Sequence, residues 1–305
     1  MKGILLELIY VCAGLIAIMT AVYALRDPEH PSPKGTALFW GLLGIVFIVG
    51  KYIPAELVGL ILIAMGCMTA MKKVKFGSQV NAPEQEREES AKKIGNKIFI
   101  PALTIGVVAF IFGSGIKSLG GLVGLGAGAV LATIIALAMT KTESKYVGYD
   151  GSRLLQQVGS ASILPQLLAA LGSLFAAAGV GEVIATGIGG IIPEGNILAA
   201  VIAYCLGMAI FTIIMGNAFA AFAVITAGIG MPLVIAQGAN PAVAGIIALT
   251  AGYCGTLMTP MAANFNIVPA AILETENKNR VILSQAPFAI VLWTVHVVLM
   301  YTLAF

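Results

Sequence analysis

Charged residues are scarce in this sequence. Asp, Glu, Lys and Arg together make up 10% of its 305 residues, whereas a soluble domain carries about 25%. A soluble protein needs charged side chains to cover its surface, so this composition excludes an ordinary soluble fold. The net charge is only +3, and no stripe of Lys and Arg follows a helix face. A nucleic-acid partner is therefore not expected.

Cysteine and histidine are also rare, with four and two residues. The cysteines lie in apolar segments, without CxxC spacing and without a neighbouring histidine; they are Cys12, Cys67, Cys205 and Cys254. We interpret them as buried packing residues, and we predict neither a metal site nor a disulfide framework. No tightly bound cofactor is predicted either.

An enzymatic function is disfavoured for the same reason. The apolar segments contain one candidate nucleophile–base pair, Ser114 with His296. Gly113-Ser-Gly115 resembles part of an intramembrane serine protease motif, but Phe112 stands where that motif has a glycine. We therefore predict that the chain is not an enzyme.

The sequence is rich instead in apolar blocks long enough to cross hydrocarbon, which takes about 20 residues. Hydrophobic residues make up 59% of the chain. We predict an all-α, polytopic transmembrane helix bundle of about ten spans. The predicted spans are 4–25, 36–49, 54–71, 98–112, 119–140, Ile163–Ile192, Ile197–Met215, Ala218–Gln237, Pro241–Leu257 and 286–305.

Polar stretches between these blocks set the expected topology. The longest, Lys72–Lys97, is predicted to be a loop and contains seven basic residues. By the positive-inside rule it lies inside, which places both termini outside if there are about ten crossings. The block Ile163–Ile192 is too long for one straight crossing and is compatible with a re-entrant hairpin. The residues before it, Ser152–Gly159, fit either an amphipathic surface helix or the start of that hairpin.

Composition divides the chain into two halves. Residues 1–140 are typical of ordinary packed spans, with a glycine every fourth residue at Gly120, Gly124 and Gly128. That spacing gives one helix face on which another backbone can pack closely. Residues 141–305 contain most of the amides and hydroxyls, which interrupt apolar runs together with glycines, so this half is predicted to contain broken helices and the functional site.

Two interrupted stretches lie deep within this second half, Phe211–Phe219 and Gly255–Pro269. Met215-Gly-Asn-Ala-Phe219 is similar to Met261-Ala-Ala-Asn-Phe265, 46 residues further on. Irregular backbone is tolerated at membrane depth only where it is buried in protein or lines a wet cavity. Paired interrupted segments are typical of the midplane site of a secondary transporter.

The residues of these stretches suit such a site. A broken helix directs free N–H groups and a positive dipole end into the cavity, so it can hold a carboxylate without an arginine. Free carbonyl groups, amides and hydroxyls can hold a sodium ion. The predicted substrate- and ion-binding residues are Thr212, Gly216, Asn217, Thr256, Thr259, Asn264 and Asn266. The alternative is that these side chains only join neighbouring helices by hydrogen bonds.

Glu182 is the one further candidate. It lies inside the apolar run Ala178–Ala185, and an intramembrane carboxylate is costly enough to suggest a function. We consider it a candidate proton-coupling group. An interface glutamate near a hairpin tip is an equally good interpretation.

The second half resembles a known family over two long motifs, Gly216–Gly230 and Gly255–Ala270. It is similar to a bacterial integral-membrane family catalogued as domain of unknown function 979, and the resemblance covers the whole chain. The resemblance implies a fold like that of the ion-transporter superfamily, whose members carry organic anions by an elevator movement. Genes of the family typically lie beside a second membrane protein and often near genes for pyroglutamyl-peptidase or 5-oxoprolinase. This implies a two-part permease for 5-oxoproline or a similar small carboxylate; no site residues are implied.

The leading hypothesis is therefore a permease or permease subunit of the bacterial inner membrane. It would carry a small organic anion and be coupled to sodium or protons. Its expected partners are the lipid bilayer, the carboxylate substrate and a second membrane subunit, and a homo-oligomer is left open. The alternative is a membrane scaffold subunit of a two-component complex that does not itself transport.

Overall fold

A computed structural model describes residues 2–116, 118–189, 192 and 195–305. Within them the chain forms helices and, in the same described ranges, no strand. The α-helices are α1 (Lys2–Arg26), α2 (Pro33–Val49), α3 (Ala55–Ala70), α4 (Glu84–Ile94), α5 (Phe99–Phe110), α6 (Gly121–Thr140), α7 (Lys145–Val158), α8 (Leu164–Ala177), α9 (Val180–Gly189), α10 (Ile197–Met215), α11 (Ala218–Ile225), α12 (Pro241–Thr256), α13 (Ala263–Ile272) and α14 (Arg280–Leu303). The predicted all-α fold is confirmed.

Shorter helical segments connect several of these helices. Gly50–Tyr52, Gly95–Ile98 and Gly159–Ile163 are 3₁₀-helical, whereas Ile111–Gly115 and Thr226–Ile235 are π-helical. The π-helical segment Thr226–Ile235 contains Pro232 and continues α11. π-helical turns are rare and often accompany functional sites.

The helices form a polytopic membrane protein. In the described part of the chain, eight helical stretches are at least 18 residues long and apolar enough to cross a bilayer. Three shorter apolar helices, α3, α12 and α13, accompany them. The predicted number of about ten spans lies between the eight long stretches and the total with the short helices included. The difference from eight arises because the predicted spans 54–71 and Pro241–Leu257 are the short helices α3 and α12, which have 16 residues each.

The contacts divide the chain into two compact units, residues 1–159 and 160–305. The division drawn from composition, at 140/141, places α7 with the second half, whereas its contacts place it in the first unit. The reason is that α7 packs on α1. Composition reflects what a helix is made of, and it does not determine which neighbour the helix packs against.

Glycines allow the helices of the first unit to approach closely. Gly14 of α1 and Gly44 of α2 face each other, so that a Cβ on either would meet the carbonyl oxygen of the other at 2.8 Å. Gly124 and Gly128 of α6 lie against the backbone of α5 in the same way. The predicted packing role of the glycine repeat is confirmed for these two, whereas Gly120 precedes α6 with a φ of +78°.

Much of the first unit is covered by exposed apolar side chains. Met65 is the one buried residue of α3, and the described residues of α5 include none. Leu60, Leu103 and Phe110 are each more than half exposed. Soluble proteins rarely expose contiguous apolar patches larger than a few hundred Å², and apolar side chains exposed along whole helices are expected where helices face lipid.

The polar stretches contain more structure than predicted. The predicted loop Lys72–Lys97 includes α4, and the polar stretch after α6 forms α7. Both are charged or amphipathic helices without the long apolar run by which spans are recognised. Ser152–Val158 belongs to α7, and the choice between a surface helix and the start of a hairpin stays a prediction.

Residues 73–80, which we call the strap, are fixed across the first unit by hydrogen bonds. Ser32 Oγ donates to the carbonyl oxygen of Lys73 at 2.7 Å, and Thr36 exchanges two bonds of 3.0 Å with the backbone of Lys75. Farther along the strap, Ser78 donates from its backbone N–H and from its hydroxyl to the carboxylate of Asp27, at 2.6 and 2.7 Å. Partial burial alone would raise the pKa of Asp27, but the bonds from Ser78 and Glu29 outweigh it and lower the pKa below its ordinary value.

The end of the strap joins a buried polar network. Gln156 of α7 donates to Gln79 at 2.9 Å and to Ser152 at 3.1 Å. The Oε1 atom of Gln156 lies 3.1 Å from Nε2 of His30, while the backbone N–H of Ser32 donates to Nδ1 of that histidine. Because Nδ1 is an acceptor, Nε2 has the proton and donates to Gln156. The network ties the α1–α2 turn, the strap and α7 together.

In the second unit α10 is the central helix. It packs against α11, α12, α14 and the π-helical segment Thr226–Ile235. Its buried face includes Tyr204 and Met208, which are fully shielded from solvent. The predicted block Ile163–Ile192 is two helices, α8 and α9, separated at Gly179, whose φ is +69°. Residues 190 and 191 of that predicted block lie outside the described residues.

Candidate functional site

The first break separates α10 from α11. Gly216 ends α10 in the left-handed conformation, with a φ of +67°, and its N–H donates to the carbonyl oxygen of Thr212 at 2.7 Å. Asn217 then adopts an extended conformation, and its Oδ1 accepts from the N–H groups of Phe219 and Ala220 at 2.9 and 3.4 Å. The sequence Gly-Asn thus supplies one residue that ends a helix and one that caps the next.

The second break separates α12 from α13. The helix α12 ends at Thr256, and α13 begins at Ala263 without a side-chain cap. Asn266 holds the intervening loop, because its Nδ2 donates to the carbonyl oxygens of Thr256 and Thr259, at 2.7 and 2.6 Å. A fully buried amide therefore satisfies two carbonyl groups that the interrupted helix leaves free.

The two breaks are in contact. The Cα of Gly216 lies so close to Met261 that a Cβ there would meet the Met261 backbone carbonyl. A hydrogen bond of 2.8 Å joins Thr259 Oγ1 to the carbonyl oxygen of Ile213. The interrupted stretches therefore meet within the second unit, as the sequence predicts for them.

A cavity of about 170 Å³ lies where they meet. Pro165 and Leu168 of α8 close one side, and Tyr253 of α12 closes another, with its ring centroid 6.1 Å from that of Phe219. The remaining lining residues come from the two breaks and are Gly216, Asn217, Ala218, Phe219, Thr256, Met261, Asn264 and Phe265. The cavity is smaller than the roughly 300–1,000 Å³ of sites for drug-sized ligands, so it suits a small molecule.

The structure brings the predicted binding residues together in two layers. Gly216, Asn217, Thr256 and Asn264 line the cavity. Behind them Thr212, Thr259 and Asn266 are at most 3% exposed. Glu182 is exposed in the first turn of α9 and is not among the described residues that line the cavity. Its proton-coupling role stays a prediction.

Sequence reasoning missed the apolar part of the cavity. Tyr253, Phe219 and Phe265 give it aromatic walls, yet each lies in an apolar run in which no periodicity distinguishes a cavity wall from core. One signal was present, since Phe219 and Phe265 occupy the same position in the two similar five-residue segments. The contribution of α8 depends on tertiary packing and has no local signal.

Helix dipoles determine the electrostatics of the cavity. The amino-terminal ends of α11 and α13 both open onto it, through Asn217 and Ala218 and through Asn264. Each helix end has a partial charge of about +0.5. None of the described lining residues is Asp, Glu, Lys, Arg or His. The fixed field therefore comes from the backbone: it is positive at these two amino-terminal ends, where it favours an anion, and negative where α10 and α12 end at Gly216 and Thr256.

The two residues considered for an enzymatic pair make local hydrogen bonds. Ser114 Oγ donates to the carbonyl oxygen of Phe110 at 2.7 Å. His296 Nδ1 lies 2.7 Å from the carbonyl oxygen of Leu292, one turn earlier in α14. Both contacts are the i to i−4 bonds that polar side chains make within a helix.

Comparison with known proteins gives one match. The model of a family described as "Protein of unknown function (DUF979)" matches residues 7–305. No curated protein and no solved structure matches the chain.

Proposed function

Because the chain belongs to the DUF979 family, whose description names no activity, we propose its function from the geometry: it is a secondary transporter for a small organic anion. The observation that carries the proposal is the contact between the two helix breaks at Gly216 and Met261, beside a cavity of about 170 Å³. Paired broken helices are the architecture by which many transporters bind substrate near the bilayer midplane.

The proposed charge of the substrate follows from the helix ends. An anion in the cavity faces the amino-terminal ends of α11 and α13. In the first turn of α13, the N–H groups of Ala263 and Phe265 donate to backbone carbonyl groups, whereas that of Asn264 has no partner among the described residues. Backbone N–H groups at a helix end bind carboxylates well. The bound charge is thereby balanced by dipoles rather than by a buried arginine or lysine, and the empty cavity needs no counter-ion.

The proposed size and polarity of the substrate follow from the lining. Asn217 and Asn264 offer amide donors and acceptors, while Tyr253, Phe219 and Phe265 offer apolar walls. A compact carboxylate with one further amide-like group fits this pattern. 5-Oxoproline, which the resemblance suggests, has a carboxylate and a lactam on a small ring, so it is the first substrate to test.

We further propose that the protein works in the bacterial inner membrane with a second membrane subunit and with both termini outside. The basic residues of Lys72–Lys97 support the orientation through the positive-inside rule, and the family's gene neighbours support the second subunit. The competing proposal is a scaffold subunit that does not itself transport. The exposed apolar helices α3 and α5 are compatible with either arrangement.

Uptake into proteoliposomes tests the proposal. Three preparations are compared: this chain alone, this chain with the membrane protein encoded beside it, and that second protein alone. For each, uptake of labelled 5-oxoproline and a panel of small acids is measured with and without an imposed sodium or proton gradient. We expect gradient-driven uptake only when this chain is present. Equal uptake by the neighbouring protein alone would contradict the proposal and favour the scaffold.

A further inference from the structure

Two buried side-chain oxygen atoms beside the breaks lack a hydrogen-bond partner among the described residues. They are Oγ1 of Thr212 and Oδ1 of Asn266, and both residues are fully buried. Other threonines of this unit satisfy their hydroxyl within the helix, as Thr250 does with the carbonyl oxygens of Ile246 and Ile247. An unsatisfied buried acceptor is costly, so each of these two oxygen atoms requires an explanation.

The orientation of the Asn266 amide is fixed. Its nitrogen donates to the carbonyl oxygens of Thr256 and Thr259 at 2.7 and 2.6 Å. Rotating the amide by half a turn would place its oxygen against both carbonyl oxygens and lose both bonds. The oxygen must therefore remain an acceptor directed away from the loop, where only a cation or an additional donor can satisfy it.

Thr212 lies in the last turn of α10, where two glycines bring α12 close. A Cβ on Gly252 would lie 3.2 Å from Thr212 Oγ1, and one on Gly255 would lie 3.0 Å from Thr212 Cβ. The carboxyl-terminal ends of α10 and α12 are therefore neighbours, and Asn266 binds the last carbonyl of α12. Each such end has a partial charge of about −0.5, so this region favours a cation.

We propose that Thr212 and Asn266 bind a sodium ion at the carboxyl-terminal ends of α10 and α12. This inference rests on the proposed transport function and identifies its coupling ion. Neutral hydroxyl, amide and carbonyl oxygen atoms suit an alkali cation, whereas calcium and magnesium sites use carboxylates. The anion at the amino-terminal ends of α11 and α13 and the sodium ion at the carboxyl-terminal ends of α10 and α12 then occupy opposite poles of the same two breaks.

Thermal unfolding of the full-length protein in detergent tests the inference. Sodium chloride replaces choline chloride at constant ionic strength, so that only the identity of the cation changes. A ligand that binds only the folded state raises stability with the logarithm of its concentration above Kd. For the natural chain we expect a rise in Tm that continues with the logarithm of the sodium concentration above Kd, and a similar rise for Thr212→Ser, which keeps the oxygen atom.

Thr212→Val is the decisive variant because it removes the hydroxyl but keeps the shape. In choline chloride its Tm should equal or exceed that of the natural chain, since an unpartnered hydroxyl is replaced by a methyl group. Its sodium affinity should fall at least tenfold. Thr250→Val, on α12 with its hydroxyl already satisfied, is the matched control and should keep the full sodium response.

Three results would overturn the sodium site: no sodium-dependent rise in the natural chain, an unchanged rise in Thr212→Val, or a lower Tm of Thr212→Val in choline chloride. Proteoliposome uptake separates this failure from failure of the proposed function. If uptake occurs but does not depend on the sodium gradient, the proposed sodium site is rejected and the proposed transport function is retained. If sodium binds but no tested acid is taken up, the proposed sodium site is retained and the proposed transport function is rejected.

Discussion

Thr259 donates a hydrogen bond of 2.8 Å to the carbonyl oxygen of Ile213, so the loop after α12 is fastened to the last turns of α10. These two residues are 46 positions apart, which is also the offset between the similar segments that begin at Met215 and Met261. Equivalent points of the two stretches are therefore bonded to each other. Such pairing is expected where two related broken helices form one site.

Replacing Thr259 by Val should separate the two breaks. The change removes the partly buried bond to Ile213 and also the acceptor of the Met261 N–H, so we expect a loss of about 1–3 kcal/mol in stability. Uptake should fall together with Tm, and Thr259→Ser should retain most of both. Thr294→Val is the control, because its hydroxyl bonds within the exposed face of α14; a Thr259→Val protein as stable as this control would show that the bond is unimportant.

Gly216→Ala tests the close approach of the breaks. The left-handed φ of +67° costs a non-glycine residue about 1 kcal/mol, and the added Cβ also meets the backbone carbonyl of Met261. Uptake should be lost, since the cavity wall must move. Gly238→Ala is the control for strain without contact, because a φ of +104° is at least as unfavourable for alanine as +67° and no described atom lies within 4 Å of the Gly238 Cβ position.

Comparing the two glycine variants separates strain from contact. We expect Gly238→Ala to lose stability without losing uptake per folded molecule. Gly216→Ala should lose uptake per folded molecule, measured after normalising for protein that elutes as a single species in detergent. Equal behaviour of the two variants would mean that the approach to Met261 has no functional consequence.

The first break was predictable because local chemistry determines it. Gly followed by Asn both ends a helix and caps the next one, and the predicted bounds Ile197–Met215 are those of α10. The contact with Met261 also follows in outline from the similarity of the two segments. These features depend on residue types within a few positions of each other, so a single sequence contains the necessary information.

The remainder depends on contacts that a single sequence does not display. The polar strap is fixed by Asp27, Ser32 and Thr36, none of which is near it in the chain, and it has neither apolar periodicity nor a turn motif. Asn266 was predicted as a binding residue, but its hold on Thr256 and Thr259 depends on how α13 folds back. Residue patterns predicted which side chains could belong to the site. They did not predict how these side chains are arranged where that depends on a contact with another part of the chain.

Asn264 gives a further prediction about substrate binding. Asn264→Ala removes an amide that lines the cavity and has no hydrogen bond to another described residue, so stability should be unchanged. Losing one hydrogen bond to a charged ligand costs about 1.5–3 kcal/mol, and uptake at low substrate concentration should fall by roughly tenfold or more. Wild-type uptake in Asn264→Ala would exclude that residue from the site.

Asn217→Asp separates capping from binding. Aspartate caps a helix as well as asparagine does, so α11 should remain formed, while the added negative charge repels an anionic substrate. Asn240→Asp is the matched control, because Asn240 caps α12 by the same two bonds and does not line the described cavity. We expect uptake to be lost in Asn217→Asp and kept in Asn240→Asp, with the Tm of both close to that of the natural chain.

Asp27 and Ser78 predict how the stability of the first unit depends on pH. Hydrogen bonds from Ser78 and Glu29 lower the pKa of Asp27 below its ordinary value of 3.8, against the opposing effect of burial. A carboxylate whose pKa is lower in the folded state stabilises that state fully above its unfolded pKa, and the stabilisation is lost as pH falls through the folded pKa. Stability from this group should therefore be constant from pH 5 to 8 and decline only below about pH 4.

Asp27→Asn should remove that dependence and loosen the strap. We expect a loss of about 1 kcal/mol at pH 7, less than for a buried charged hydrogen bond, because the carboxylate is partly exposed and screened by solvent. Amide hydrogen exchange of residues 73–80 is the direct measurement, and exchange there should accelerate in Asp27→Asn but not in the exposed control Glu29→Gln. Equal exchange in the two variants at pH 7, or a natural chain whose strap already opens at pH 6, would show that this carboxylate does not fasten the strap.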